Sequence, residues 1–344
     1  MIGKTLALTL LGSLIVAGTA QARDQIRVVG SSTVYPFSTR VAEEFGRTTN
    51  FKTPVIESTG TGGGFKLFCE GVGIDTPDIS NASRAIKASE IELCAKNGVK
   101  EITQVMIGYD GIVVANSKAS PQMNITLEQL YRALAKDVPD GKGGIIANPN
   151  KTWSDVDPSL PNIAIEVLGP PPTSGTRDAF AELAMEGGCD KIPAIVALKK
   201  TDEAKHKAIC QGVREDGAYI EAGENDVLIV RKLEANKNAF GIFGYSFLEQ
   251  NQDKIQGSLI NGVDDDYNNI STGKYPISRS LYFYVKKAHV GVVPGIKEYI
   301  AEFTSEKAWG PDGYLAEKGL IALPAAEAKA AREQAMALVS NVGM

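Results

Sequence analysis

Three short loops of glycine and hydroxyl residues, each running into the first turn of an expected helix, constrain this chain more than any other feature. They are Gly30-Ser31-Ser32-Thr33-Val34-Tyr35-Pro36, Ser58-Thr59-Gly60-Thr61-Gly62-Gly63-Gly64-Phe65 and Thr173-Ser174-Gly175-Thr176-Arg177-Asp178. β-rich runs at 25–30, 53–57 and 163–168 precede them. Strands that alternate with helices indicate an α/β sheet with its ligand loops at the carboxyl ends of the strands. The first amides of a helix have no intrahelical partner and carry partial positive charge. Small residues let an anion approach those amides, and hydroxyls add further donors. Three such termini in one chain point to a site that surrounds a small oxyanion with uncharged donors.

Other stretches fill in the frame. Pro36 stands where a helix can begin, with Phe37, Val41 and Phe45 on one stripe. Residues 78–81 read as a third strand, followed by a loop holding Ser83 and Arg84, and 101–106 and 110–115 read as two further strand-like runs. Leu127, Leu130, Tyr131 and Leu134 mark a helix, and a long polar loop spans roughly 139–162 around Trp153, a lobe-packing aromatic. Residues 239–245 read as a buried strand and bend, 280–285 as a strong strand, and 325–339 as an Ala-rich amphipathic helix. Asp264-Asp265-Asp266 reads as a solvated turn, since its spacing does not fit a calcium loop.

Residues 1–22 have the pattern of a secretory signal: Lys4, an apolar stretch over 6–17, and Ala20-Gln21-Ala22 before Arg23. The apolar run is too short for a membrane span. No cysteine stands at the cleavage point, so no lipid anchor is expected. The expectation is a soluble periplasmic protein. About 320 residues then remain, enough for two lobes rather than one core. Losing Lys4 takes the formal net charge from −5 to −6, which gives no global attraction for nucleic acid or an anionic membrane.

Cys69, Cys94, Cys189 and Cys210 are the only cysteines. In an oxidising compartment four cysteines imply disulfides, and their clustering favours Cys69–Cys94 and Cys189–Cys210. A zinc site is not expected, because no C-x-x-C pair exists and His206 and His289 are expected to sit far from any ligand cluster. The glycine loop at 60–64 lacks the Gly-Lys-Ser/Thr of a nucleotide loop. With two histidines in the chain, Ser32 has little prospect of a Ser-His-acid triad.

Gly-Ser-Ser-Thr-Val-Tyr-Pro-Phe, Ser-Thr-Gly-Thr-Gly-Gly-Gly-Phe-Lys, Asp-Ile-Ser-Asn-Ala-Ser-Arg and Thr-Ser-Gly-Thr-Arg-Asp occur in that order. Together they resemble the PstS-like periplasmic phosphate-binding proteins of bacterial phosphate ABC transporters, over essentially the whole chain after the signal. The resemblance implies an α/β, two-lobed type II periplasmic-binding-protein (Venus-flytrap) fold with two hinge crossings. Lobe I would take 24–109 and 284–344, lobe II 110–283, with hinges near 108–113 and 279–284. It implies inorganic phosphate as ligand, an ABC permease as partner, a monomer not embedded in the membrane, no cofactor, no metal and no catalysis.

Carried over by position, Ser32, Thr33, Val34 and Tyr35 form the first contact loop, Thr61 and Gly62 the second, and Ser174, Gly175 and Thr176 the loop of the other lobe. Two departures alter the charge balance. The family has a carboxylate where Arg84 follows Ser83, and an arginine a few residues before Ser-Gly-Thr where this chain has Pro170. Arg84 and Arg177 are expected to reach the anion, with Asp110, Asp178 or a backbone carbonyl as hydrogen-bond acceptor. Two arginines would favour the dibasic ion. The alternatives are a receptor for sulfate, molybdate or a phosphonate, or an exported phosphatase, which would need a nucleophile and usually metals.

Overall fold

The computed structural model describes residues 23–172, 174–223 and 226–343; the expected signal segment and Thr173 of the third loop lie outside them. The main sheet has nine strands: β1 (Arg27–Gly30), β2 (Val55–Ser58), β3 (Ile79–Ala82), β4 (Ile102–Ser117), β5 (Val167–Gly169), β6 (Tyr219–Glu221), β7 (Phe240–Gly244), β8 (Ile255–Gly257) and β9 (Ser278–Lys286). Their order is β2-β1-β3-β9-β4-β7-β5-β6, with β8 also on β4. β1 is parallel to β2 and β3, and β5 is parallel to β6 and β7. The helices that matter for the site are α1 (Tyr35–Thr48), α2 (Thr61–Phe68), α3 (Ala88–Lys96), α4 (Leu127–Leu134), α5 (Gly175–Phe180) and α6 (Ala325–Met336).

Burial separates the molecule into two lobes. One core gathers Val28, Val41, Phe45, Leu281, Phe283 and Phe303. The other gathers Leu130, Tyr131, Trp153, Phe180, Phe240 and Phe243. Trp153 is fully buried and meets Phe240 edge-on at 5.2 Å between ring centroids, the packing role expected of it. The mixed α/β, two-lobed architecture is the one that the family resemblance implies.

β4 joins the two halves. Its residues 102–111 pair with β9, and its later residues pair with β7 and β8. The sequence reading breaks this strand into two runs around Gly108; the structure makes it one strand of sixteen residues. Gly108 sits at φ +149, and the register with β9 slips between Leu281 and Tyr282, opposite it. A bulge absorbs the glycine instead of ending the strand. The 163–168 run is shortened in the other direction, since regular pairing on β5 begins only at Val167. Tyr109 also exchanges both backbone hydrogen bonds with Ile321, at 2.8 and 3.0 Å. On α6, Ala328 and Ala331 touch both cores, so the C-terminal helix lies across the junction on its small side chains.

Both expected disulfides, Cys69–Cys94 and Cys189–Cys210, form. One expectation about histidine fails: His206 stands 3.4 Å from the Cys210 sulfur, because Glu203–Gln211 is a helix and a spacing of four puts both side chains on one face. Among the described residues no helix is long and apolar enough to cross a membrane.

The acidic triplet is not the solvated turn expected. Asp266 caps the helix Tyr267–Ser271 by accepting the Asn269 N–H, while Asp265 is buried beside Gly257. Burial, reinforced by neighbouring Asp264, raises the Asp265 carboxyl to about 7. The folded chain therefore keeps a proton that the unfolded chain loses near the ordinary aspartate range. Stability is fullest below that range and declines as pH rises toward about 7. Asp265→Asn is expected to match the parent at about pH 3.5, below the ordinary aspartate range, and to exceed it at about pH 8 by up to ~4 kcal/mol. Urea denaturation at both pH values checks this, and an equal difference at each would refute the assignment.

Candidate anion site

Gly30 ends β1 at φ +127, and a Cβ there would lie 2.1 Å from the Asn81 carbonyl oxygen on β3. Glycine allows the two strand ends to approach, and the approach brings their loops together. Gly64, in the first turn of α2, is as tightly placed, with a Cβ position 2.5 Å from the Gly30 Cα. Ser31 donates its N–H to the Asn81 carbonyl at 3.0 Å and organises the start of α1. Its Oγ accepts the Val34 N–H at 3.3 Å, and its carbonyl accepts the Tyr35 N–H at 3.0 Å. The Val34 and Tyr35 amides, both expected as anion donors, are thus already bonded within the loop. Val34 is buried in the core and Tyr35 is exposed.

The other loops converge on the same place. Gly60 precedes α2 at φ +71 and provides no side-chain cap. Thr61 Oγ1 accepts the Ser83 N–H at 3.1 Å and lies 3.1 Å from Ser83 Oγ, which joins the second loop to the end of β3. Ser174 caps α5 by accepting the Thr176 N–H at 3.2 Å. A Cβ on Gly175 would stand 2.9 Å from the Ser32 carbonyl oxygen and 3.2 Å from the Thr33 Cα, so the start of α5 abuts the first loop.

The guanidinium among these loops belongs to Arg279, whose side chain is only 8% exposed. Arg279 lies on β9 directly opposite Asp110 on β4. Its Nε approaches Asp110 Oδ2 at 3.4 Å, and its Nη1 donates to Ser83 Oγ at 3.2 Å and to Glu182 Oε2 at 2.8 Å. Its Nη2 donates to Thr33 Oγ1. Glu182 comes from a single π-turn, Ala181–Met185, that directly follows α5. Such turns re-aim side chains and occur often at functional sites. Burial raises the Asp110 carboxyl, and Arg279 acts in the opposite direction.

Arg84 and Arg177 do not join this cluster. The Arg84 fork grips Glu90 at 2.7 and 2.9 Å, and Nη1 also donates to the Ala85 carbonyl. Glu90 in turn accepts the Lys87 N–H and closes the cap of α3, so local geometry claims Arg84 first. Arg177 donates to the Pro170 carbonyl at 3.2 Å and lies 4.5 Å from the Tyr219 ring centroid. Of the side chains expected, Thr33 and Ser83 meet through Arg279 and Thr61 joins them through Ser83, with the backbone of Ser32 and Gly175 beside the first loop. Arg279 escaped the sequence reading as a donor because it stood inside an expected hinge. The available clue was an arginine at the start of a strand that continues as Leu281, Tyr282, Phe283, Tyr284 and Val285.

A sequence profile described as a PBP superfamily domain matches residues 16–307. Protein SphX of Synechococcus elongatus is 32% identical over 272 residues, covering 76% of this chain and 69% of that protein. Phosphate-binding protein PstS of Staphylococcus haemolyticus is 30% identical over 295 residues, covering 83% of this chain and 79% of that protein. A possible phosphate binding protein from Planctomyces limnophilus has a similar structure, with a TM-score of 0.72 at 26% identity over 92% of this chain and 98% of that one. An ABC-type phosphate transport receptor from Vibrio cholerae shares the fold, with a TM-score of 0.55 at 19% identity over 87% of this chain and 100% of that one.

The tightest backbone contact of the site is the cheapest to test. Gly30→Ala adds a methyl group against the Asn81 carbonyl at a backbone angle that alanine avoids. The expected loss is about 2 kcal/mol or more, read as a lower urea midpoint with an unchanged slope. A variant as stable as the parent would show that the strand ends are not packed this closely.

Proposed function

From a chain that belongs to the PBP superfamily and, within it, to the PstS-like phosphate-binding proteins, we propose a receptor that captures inorganic phosphate between its lobes and delivers it to an ABC permease. The observation that carries the reading is Arg279, a buried guanidinium shared by Thr33, Ser83, Asp110 and Glu182 where three helix-initiating loops meet. A planar guanidinium with hydroxyl and amide donors around it matches the oxygens of a tetrahedral anion. In this reading lobe I takes 24–109 and 284–344, lobe II takes 110–283, and β4 and β9 act as the hinge strands. Ligand that touches both lobes favours the closed form. The protein acts in the periplasm, as a monomer and without catalysis.

Charge balance then differs from the two-arginine expectation. One guanidinium faces two carboxylates, so the reason to expect a dibasic preference falls away. Asp110 and Glu182 offer oxygens that can accept a hydrogen bond. Phosphate supplies one and sulfate does not, and a buried acceptor set against a sulfate oxygen costs about 1–3 kcal/mol or more. Phosphate, and arsenate with its like shape and protons, should bind; sulfate and molybdate should bind poorly.

Calorimetry on single variants separates Arg279 from the arginines seen in the sequence. Arg279→Ala is expected to weaken phosphate binding by about 10- to 100-fold, the value of hydrogen bonds from a charged group. Arg84→Ala, which breaks a partly exposed pair with Glu90, should change it less than about threefold. The reverse ranking would refute the assignment.

Asp110→Asn replaces a carboxyl able to accept from the anion with an amide that also donates. The expected result is a phosphate-over-sulfate preference reduced at least about tenfold. An unchanged preference would remove Asp110 from the selectivity mechanism. Steady release of product from a chromogenic phosphate ester would favour the phosphatase reading over a receptor.

A further inference from the structure

Away from the cleft, four residues with metal-binding chemistry meet around one disulfide. Helix Glu203–Gln211 carries His206 and Cys210 one turn apart, and helix Glu186–Cys189 ends in Cys189 with Asp190 next to it. Cys189 and Cys210 are bonded, with their Cα atoms 5.4 Å apart. His206 Nε2 lies 3.4 Å from the Cys210 sulfur and 2.8 Å from Asp190 Oδ1. The ligand atoms of Cys189, His206 and Cys210 all fall within 4.8 Å of one another. These three side chains are buried, while Asp190 is 31% exposed and gives the cluster an edge toward solvent. Lys199 Nζ holds the second Asp190 oxygen at 2.6 Å, which keeps Oδ1 turned toward His206. None of these groups takes part in the anion cluster.

We propose that reduction of Cys189–Cys210 uncovers a site for a tetrahedral divalent cation such as zinc. Its ligands are the two thiolates, His206 Nε2 and an Asp190 oxygen. Two sulfurs, one imidazole nitrogen and one carboxylate suit zinc, whose bonds to them are about 2.0–2.3 Å. The two cysteines are already within a side chain's reach of each other, so separating the sulfurs needs side-chain rotation more than movement of the helices. A dithiol reductant supplies the electrons. Its two thiols form their own disulfide, and two electrons and two protons pass to the Cys189 and Cys210 sulfurs. Metal binding then releases both protons as the thiols become thiolates. His206 ligates with its remaining proton on Nδ1, giving up its hydrogen bond to Asp190 as that carboxylate turns to the ion. This corner of the protein can thus be closed by a disulfide or by a metal, but not by both at once.

The test uses the full chain. It is reduced with a dithiol under inert gas, freed of reductant and titrated with cobalt(II). One equivalent should produce the thiolate-to-cobalt absorption and the visible bands of a tetrahedral ion, and zinc should abolish both. The oxidised protein should show neither. Cys210→Ser should lose the thiolate band, and His206→Gln should bind cobalt at least tenfold more weakly. If Cys210→Ser fails to fold, His206→Gln decides, since it keeps both disulfides. As a readout independent of colour, zinc should raise the melting temperature of the reduced chain and not of the oxidised chain. The proposal is overturned by the absence of a thiolate band in the reduced protein. A band undiminished in Cys210→Ser, which would trace to Cys69 and Cys94, or affinity unchanged in His206→Gln, would overturn it as well.

Discussion

Everything around the candidate site depends on a charged pair held between β4, which joins the two halves, and its neighbour β9. Asp110 on β4 and Arg279 on β9 face each other across an antiparallel ladder, both largely withdrawn from water. Burying such a pair costs desolvation that mutual attraction only partly offsets. The remaining hydrogen bonds of Arg279, to Thr33, Ser83 and Glu182, help to offset the rest. Because those partners come from the first loop, the end of β3 and the turn after α5, one side chain on β9 ties all three together.

The neutral donors are arranged by simpler means. Gly30 and Gly64 remove the side chains that would hold β1, β3 and α2 apart, and Gly175 does the same between α5 and the first loop. Ser31 and Ser174 spend their oxygens on starting their own helices. Thr33, Thr61 and Ser83 remain as the hydroxyl side of the site. The charged and uncharged parts therefore have separate origins: strand register supplies the guanidinium, and close backbone approach supplies the hydroxyls.

Much of the fold was legible, because its signals are local. Apolar stripes located α1 and α4, and the alternating runs located β1, β3, β7 and β9. Cysteine clustering indicated both disulfides. The misreadings share a cause. Gly108 looks like a break in isolation, but the ladder with β9 and the bridge from neighbouring Tyr109 to Ile321 carry the strand through it as a bulge. Asp265 looks solvated beside two other aspartates, yet Gly257 leaves a buried space that it fills. His206 looks isolated until a helix places it against the Cys210 sulfur.

The sequence alone determined that helix-initiating loops of glycine and hydroxyl residues would follow strands, and it set Thr33, Thr61 and Ser83 in or beside those loops. Those properties belong to a few consecutive residues. The tertiary structure decided which cation stands among them. Arg84 was near in sequence but is captured by Glu90 in the cap of α3, and Arg177 is held by Pro170 and Tyr219. Arg279, 246 residues from Thr33, arrives only because strand register sets it opposite Asp110. A charge acts on whatever folding places beside it, and separation along the chain carries no information about that distance.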